Sequence, residues 1–277
     1  MPLRVVTFNL WGTGTPHRYR LDRGLLRGAR ADSPALREAD EHRVWQRRAA
    51  LLARALSGAD ADLIALQEVP SDLSRLEGLV ADLHALGEPR YTMTTTGPGT
   101  VAGLAVLSRT PVLASRTFPV PGFGGFGGHP TALAVTTSAA TVWVVHLPVG
   151  PDAVKEACLR GLETAAVAAP PDRPLLICGD LNCPADSPLM DRLRDRAVLV
   201  DAWRAGGGSD DALTMPVPEP TWRLDHVLHR ATDPVRAVRS PALLGTDPDD
   251  DGQYASDHFG LALTIDIGQT VAHIGRG

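Results

Sequence analysis

Short apolar runs alternate along this chain with longer stretches whose apolar residues recur at helical spacing. Arg4–Asn9 carries Val5, Val6 and Phe8 and predicts a buried strand that stops at a polar residue. Val44–Leu56 keeps its apolar positions on one side of a 3.6-residue repeat and predicts a helix. The alternation continues with a strand over Asp62–Gln67 running into Glu68 and a helix over Asp72–Leu86. Strands follow over Leu104–Ser108, Leu133–Thr137 and Val142–His146, rich in Val and Leu. A third helix is expected over Val154–Ala168, a strand over Pro174–Cys178, a short helix over Ser187–Asp195, and final strands over Leu224–His229 and Leu261–Ile267. Interspersed helices and strands with hairpin-like stretches in the middle predict an α/β protein with mixed sheets. There is no repeat and no clear linker, so one domain over 1–277 is expected.

Two segments break the pattern. Gly12–Asp40 is polar and rich in Arg and Gly, and reads as a long loop with room for a short helix. Pro119–Pro130 interleaves Phe123 and Phe126 with five glycines and reads as a hairpin connection. The 277 residues are 44% hydrophobic and 21% charged, which excludes disorder, collagen and coiled coil. A net charge of −5 excludes a globally basic nucleic-acid footprint. Cys158, Cys178 and Cys183 contain no Cys-x-x-Cys pair, which argues against a disulfide framework and a zinc site. The first residues lack the apolar stretch of an export signal, and no window approaches a membrane span. A cytoplasmic protein with reduced thiols and no stable membrane association is the expectation.

Chemistry gathers where the apolar strands stop. Asn9, Glu68, His146, Asp180 with Asn182, Asp225, and Asp257 with His258 all sit at strand ends. A polar side chain there is held by the sheet, which is where a catalytic constellation is best placed. Glu68, a further carboxylate and Asn9 are hard oxygen donors, suited to Mg²⁺ or Mn²⁺. Asp180 or His258 can activate a water, and Asn182 and His146 can donate to a developing anion. Together they fit metal-assisted phosphoester hydrolysis.

Six segments carry a resemblance to a family. Thr7-Phe8-Asn9, Leu66-Gln67-Glu68-Val69, Val145-His146-Leu147, Gly179-Asp180-Leu181-Asn182, Arg223-Leu224-Asp225-His226 and Ser256-Asp257-His258 resemble, in order, the motifs of the endonuclease/exonuclease/phosphatase superfamily. Gly103–Arg109 and Val200-Asp201-Ala202 fill the intervals. The resemblance implies a four-layer α/β/β/α sandwich with two mixed sheets, and a divalent-metal-dependent phosphoesterase. It implies that Glu68 is the principal Mg²⁺ ligand (Mn²⁺ being the other candidate), with Asn9 beside it and Asp257 third. His258 is then the general base or a phosphate contact, and Asp225 holds its tautomer. Asp180 positions or deprotonates the water, Asn182 steadies the transition state, and His146 steadies charge or protonates the leaving oxygen. His226 is expected on the opposite face of its strand, and Asp186 and Asp201 as caps.

Substrate class is less legible. A His at position 146 resembles deoxyribonucleases and sphingomyelinases, whereas Thr221-Trp222-Arg223-Leu224-Asp225 resembles abasic-site enzymes. Arg18, Arg20, Arg23, Arg27 and Arg30 could meet a polyanion, but the run Asp247-Pro248-Asp249-Asp250-Asp251 would repel one. His129 stands near where many members carry a phosphate-binding Arg. A small phosphodiester or phosphomonoester is the expected substrate. A DNA or RNA nuclease and a non-catalytic ligand- or protein-binding member are the alternatives.

Overall fold

The structure is a computed structural model that describes residues 1–12, 34–88, 90–97, 103–120 and 131–268, with backbone alone for 34–42 and 131. The first loop's arginines, the glycine-rich segment with Phe123 and Phe126, and His129 lie outside the described residues. Twelve strands are described: β1 (Pro2–Asn9), β2 (Leu63–Val69), β3 (Thr92–Thr95), β4 (Gly103–Ser108), β5 (Val112–Pro119), β6 (Thr131–Thr137), β7 (Thr141–His146), β8 (Leu175–Asp180), β9 (Leu199–Asp201), β10 (Asp225–Arg230), β11 (Val235–Leu244) and β12 (Gly260–Ile267). The helices are α1 (Pro34–Ser57), α2 (Leu73–Ala85), α3 (Asp152–Ala168), α4 (Pro188–Ala197) and α5 (Ala202–Ala205). One six-stranded sheet has the order β11-β12-β1-β2-β4-β3, and the other β5-β6-β7-β8-β10-β9. Two pairs run parallel, β1 with β2 and β7 with β8, and each is joined through a helix, α1 or α3.

Alternation along the central strands explains the layers. Val6, Phe8, Ile64 and Leu66 face α1 and α2, while Trp143, Val145 and Ile177 face α3 and α4. Their neighbours Leu3, Val5, Leu63, Ala65, Val142, Val144, Leu176 and Cys178 meet between the sheets. The result is an α/β protein with mixed sheets, as the pattern predicts, and the α/β/β/α sandwich that the family resemblance implies. Helix α1 starts at Pro34, ten residues before the periodic stretch, and so takes the last part of the expected loop. Caps locate other helix starts: Asp72 accepts from the Ser74 amide, Ser187 from Met190 and Asp201 from Trp203. Ser187, rather than Asp186, caps α4. The strands that the pattern did not announce are β3, β5, β9 and β11. All four are sheet edges: β5 exposes five consecutive residues, and β11 is interrupted by Ser240 in the left-handed region, at φ 54°. Edge strands are not buried on two faces, so they lack a continuous apolar run.

Candidate active site

Both parallel pairs end at the same end of the gap between the sheets. Asn9 closes β1, Glu68 lies near the end of β2, His146 closes β7 and Asp180 closes β8. Carboxyl ends of parallel strands are the usual ligand position in α/β sheets. In the second sheet His146 pairs directly with Asp180, and both side chains point into the gap. In the first, Asn9 pairs with Gln67, so simple alternation would turn Glu68 toward the helices. Glu68 instead adopts φ 49°, an αL conformation that re-aims its side chain. The Gly12 amide donates to the Glu68 carbonyl at 2.8 Å, and a Cβ on Gly12 would lie 2.3 Å from that oxygen. Gly179 is equally constrained: φ is +148° and a Cβ would stand 1.9 Å from the Val145 carbonyl. That close approach lets β8 finish alongside β7.

The polar groups form one web. Asn9 Nδ2 donates to Asp180 Oδ2 at 3.1 Å and to Glu68 Oε1 at 3.3 Å, while its Oδ1 accepts from the Trp11 amide at 2.9 Å. Asp180 Oδ1 accepts from the Asn182 amide at 2.8 Å. Asn182, itself at φ 47°, donates from Nδ2 to the Leu147 carbonyl at 2.7 Å. His258 Nδ1 pairs with Asp225 Oδ2 at 2.8 Å, and its Nε2 lies 3.6 Å from Asp180 Oδ2. His146 Nε2 lies 3.6 Å from the same Asp180 oxygen and 3.9 Å from Glu68 Oε1. The Ser256 hydroxyl donates to the Asn9 carbonyl at 2.7 Å and so ties the Asp257–His258 segment to β1.

Burial and crowding set the electrostatics. Burial pushes the Asp180 carboxyl up from its usual range, with His258 pulling it back and Asp225 pushing it further. Asp257 is pushed up to about 6, first by burial and then by Glu68 and Asp180 against the pull of His258 and Arg48. Burial opposes charge on His258, but Asp225 and Asp180 outweigh it and carry the imidazole up to about 10. Asp225 itself, despite full burial, is held below the usual range by His258. The centre is therefore an imidazolium among carboxylates.

The structure brings Asn9, Glu68, His146, Asp180, Asn182, Asp225, Asp257 and His258 to this one place. His226 faces the other way and its Nε2 donates to the Cys183 carbonyl at 3.0 Å. Asp201 both caps α5 and forms a buried ion pair with Arg223, which leaves Asp225 to His258. The acidic run is folded rather than open: Asp249 takes two hydrogen bonds from Arg47, at 2.6 and 2.8 Å, and Asp251 one at 2.6 Å. Sequence reasoning passed over Arg48, Thr7 and the Gly12 clamp. Arg48 had a signal, because it is a charge on the buried stripe that Trp45, Ala49, Leu52 and Leu56 define on α1. Thr7 and Gln67 are fully buried and bonded to each other at 3.1 Å beneath the centre.

The molecule is thus a sandwich of two mixed sheets with a polar centre at the ends of its central parallel strands. The chain belongs to the Endonuclease/Exonuclease/phosphatase family, whose model matches residues 6–258. No curated protein matches the chain. Among solved structures it is similar to D. rerio TDP2 complexed with single strand DNA product, at 18% identity and TM-score 0.68, covering 96% of this chain and 99% of that one. It is likewise similar to an endonuclease/exonuclease/phosphatase family protein from Bacteroides thetaiotaomicron (15% identity, TM-score 0.68, 98% of this chain and 99% of that one). A Beutenbergia cavernae endonuclease/exonuclease/phosphatase matches at 21% identity and TM-score 0.61, over 96% of this chain and 72% of that one. Among the described residues no helix is long and apolar enough to cross a membrane.

Proposed function

We propose that this chain is a divalent-metal-dependent hydrolase that cleaves a phosphoester by in-line attack of water, with a small phosphodiester or phosphomonoester as substrate. One observation carries the reading: Asp180 Oδ2 lies 3.6 Å from Nε2 of the Asp225-held His258 and 3.1 Å from Nδ2 of Asn9, which also reaches Glu68. The donor set fits a hard cation. Glu68 and Asp257 supply carboxylate oxygens; burial first, and then Glu68 and Asp180, drive Asp257 upward, and a divalent charge would offset both. Asn9 presents Nδ2 to the carboxylates, so it orients Glu68 and Asp180, and joins the ion's shell only with its amide turned over. Bound there, Mg²⁺ or Mn²⁺ would polarise the phosphoryl oxygen and offset its charge.

The remaining roles belong to the chain's own groups. Asp180, a carboxylate with a raised proton affinity, takes the proton of the attacking water. His258, protonated and braced by Asp225, grips a non-bridging oxygen through Nε2. Asn182 and His146 flank Asp180 and donate to the charge that develops. A small substrate is favoured because, among the described residues, Arg48 beside the centre and Arg223 just before Asp225 are both buried and engaged, with main-chain carbonyls and with Asp201. A nucleic-acid strand is the second reading. Arg47 offsets the acidic run, and Trp222, three residues before Asp225, is half exposed and free to stack on a base.

The test is hydrolysis by the purified protein of bis(p-nitrophenyl) phosphate, p-nitrophenyl phosphate, nucleotides, single-stranded and supercoiled DNA, and sphingomyelin. Each is run with Mg²⁺, with Mn²⁺ and with EDTA, beside Asp180→Ala. Metal-dependent turnover of a small ester, lost in the variant, is the expected result. Turnover confined to DNA selects the second reading, and no turnover of any ester overturns both.

A further inference from the structure

Arg48 is 4% exposed, and its guanidinium donates to three main-chain carbonyls. Nε donates to Ala255 at 3.0 Å, one terminal nitrogen to Trp11 at 3.1 Å, and the other to Leu10. Its plane lies over the Trp11 ring at 4.5 Å and near the Trp45 ring at 5.9 Å. Burying a charge is costly, and packing alone would be served by Leu or Met at this place on α1. The three carbonyls belong to two of the three chain segments that carry the candidate ligands, Glu68 on β2 being reached only through Gly12. Leu10 and Trp11 follow Asn9, and Ala255 precedes Ser256-Asp257-His258.

The Leu10–Gly12 turn is the strained part of that junction. Trp11 sits at φ 51°, its amide fixes the orientation of the Asn9 side chain, and the next amide holds the Glu68 carbonyl. Ser256 bonds the Asn9 carbonyl, but nothing in that bond holds Trp11. We propose that Arg48 is a positioning residue: its fork locks the Leu10–Gly12 turn against the Ala255–His258 segment and thereby sets Asn9 and Glu68 against Asp257 and His258. A planar five-donor fork suits three carbonyls on two segments, which a lysine ammonium on a flexible stem does not reproduce. The inference rests on reading this centre as a metal site.

The experiment compares wild type, Arg48→Lys, Arg48→Gln and Glu68→Gln. Mn²⁺ affinity is read by electron paramagnetic resonance of the free ion, and amide hydrogen exchange and thermal unfolding are followed on the metal-free proteins. Loss of an outer partner of this kind weakens metal binding about 10–100-fold. Arg48→Gln is expected to fall in that range and Arg48→Lys part of the way. Exchange should quicken at the Leu10, Gly12 and His258 amides while the β7 and β8 amides keep their protection. Should Arg48→Gln fail to fold, Arg48→Lys carries the test. Mn²⁺ affinity and local exchange unchanged in Arg48→Lys and Arg48→Gln would overturn the proposal, as would exchange raised equally throughout, the mark of a plain stability residue. If wild type itself takes up no Mn²⁺, the metal reading has failed; local opening at the three amides then still supports the positioning role, and its absence overturns it.

Discussion

In the first sheet β1 and β2 run parallel through α1 and end at Asn9 and Glu68; in the second β7 and β8 run parallel through α3 and end at His146 and Asp180. The second unit aims its pair by register, because His146 and Asp180 are direct partners, with Gly179 allowing the close approach of the two strands. The first is out of step by one residue and reaches the gap through a left-handed Glu68 held by Gly12. Each unit also has a buried brace of a different kind. A charged Arg48 clamps the turn after β1, and a neutral His226 holds the loop after β8. Under the proposed function the same strand–helix–strand layout supplies a metal end and a proton-handling end, and the two ends should fail in different ways.

Asp180→Asn should give the largest effect. Removing a general base costs about 10²–10⁴ in rate, or about 3–5 kcal/mol of barrier. The expected result is that loss in kcat on bis(p-nitrophenyl) phosphate, with the Mn²⁺ concentration for half activity nearly unchanged. An equal shift in metal requirement would erase the division between the two ends. Gly179→Ala comes next. Its Cβ would meet the Val145 carbonyl at 1.9 Å on a backbone that side chains rarely adopt, so neighbouring strands must separate. A loss of more than about 3 kcal/mol is expected, a fall in Tm of roughly 6–12 °C for a chain of this size. Gly12→Ala meets a similar obstacle at the mouth of the first unit rather than inside a sheet. It should lower Tm less and raise the metal requirement more. Glu68→Gln sharpens the contrast: half activity should need more than about tenfold more Mn²⁺, while kcat at saturating metal falls far less than in Asp180→Asn.

The division between legible and illegible features follows burial. Central strands such as β1, β2, β7 and β8 are covered on both faces, so their apolar runs announce them, and the polar residue that ends each run announces the site. Edge strands β5 and β11 have no such run, and their pairing is decided by the neighbouring strand. The start of α1 at Pro34 is hidden because its first ten residues are mostly polar and follow a polar stretch. Spacing along the chain points to Glu68 but not to the reversal of φ that turns it inward, since that depends on a hydrogen bond from Gly12. The acidic run is repulsive as read along the chain, and Arg47, 202 residues away from Asp249, pairs with it only in the fold.

The two braces differ most in their response to acid, and the smallest prediction concerns that difference. Burial drives the His226 imidazole down to about 4, with Arg223 adding to the effect, and among the described residues its Nδ1 has no partner. The folded protein therefore refuses a proton that the unfolded chain accepts at about 6.5. Between those values the unfolded state binds more protons, so stability falls as pH drops, by about 1.4 kcal/mol per unit from this group. Arg48 has no such dependence, because a guanidinium stays charged throughout. Asp257, pushed up to about 6, works in the opposite sense below that pH, since its folded form binds the proton more readily. The wild-type curve is therefore a sum, and the informative quantity is the difference between wild type and His226→Gln in urea unfolding. Glutamine can keep the bond to the Cys183 carbonyl but cannot be protonated. The two proteins should agree within about 1 kcal/mol at pH 7.5, and the variant should gain on wild type as pH falls from 6.5 toward 4. A constant difference across that window would show that His226 takes up its proton in the folded state, and that the loop bearing Asn182 is braced by something other than a neutral imidazole.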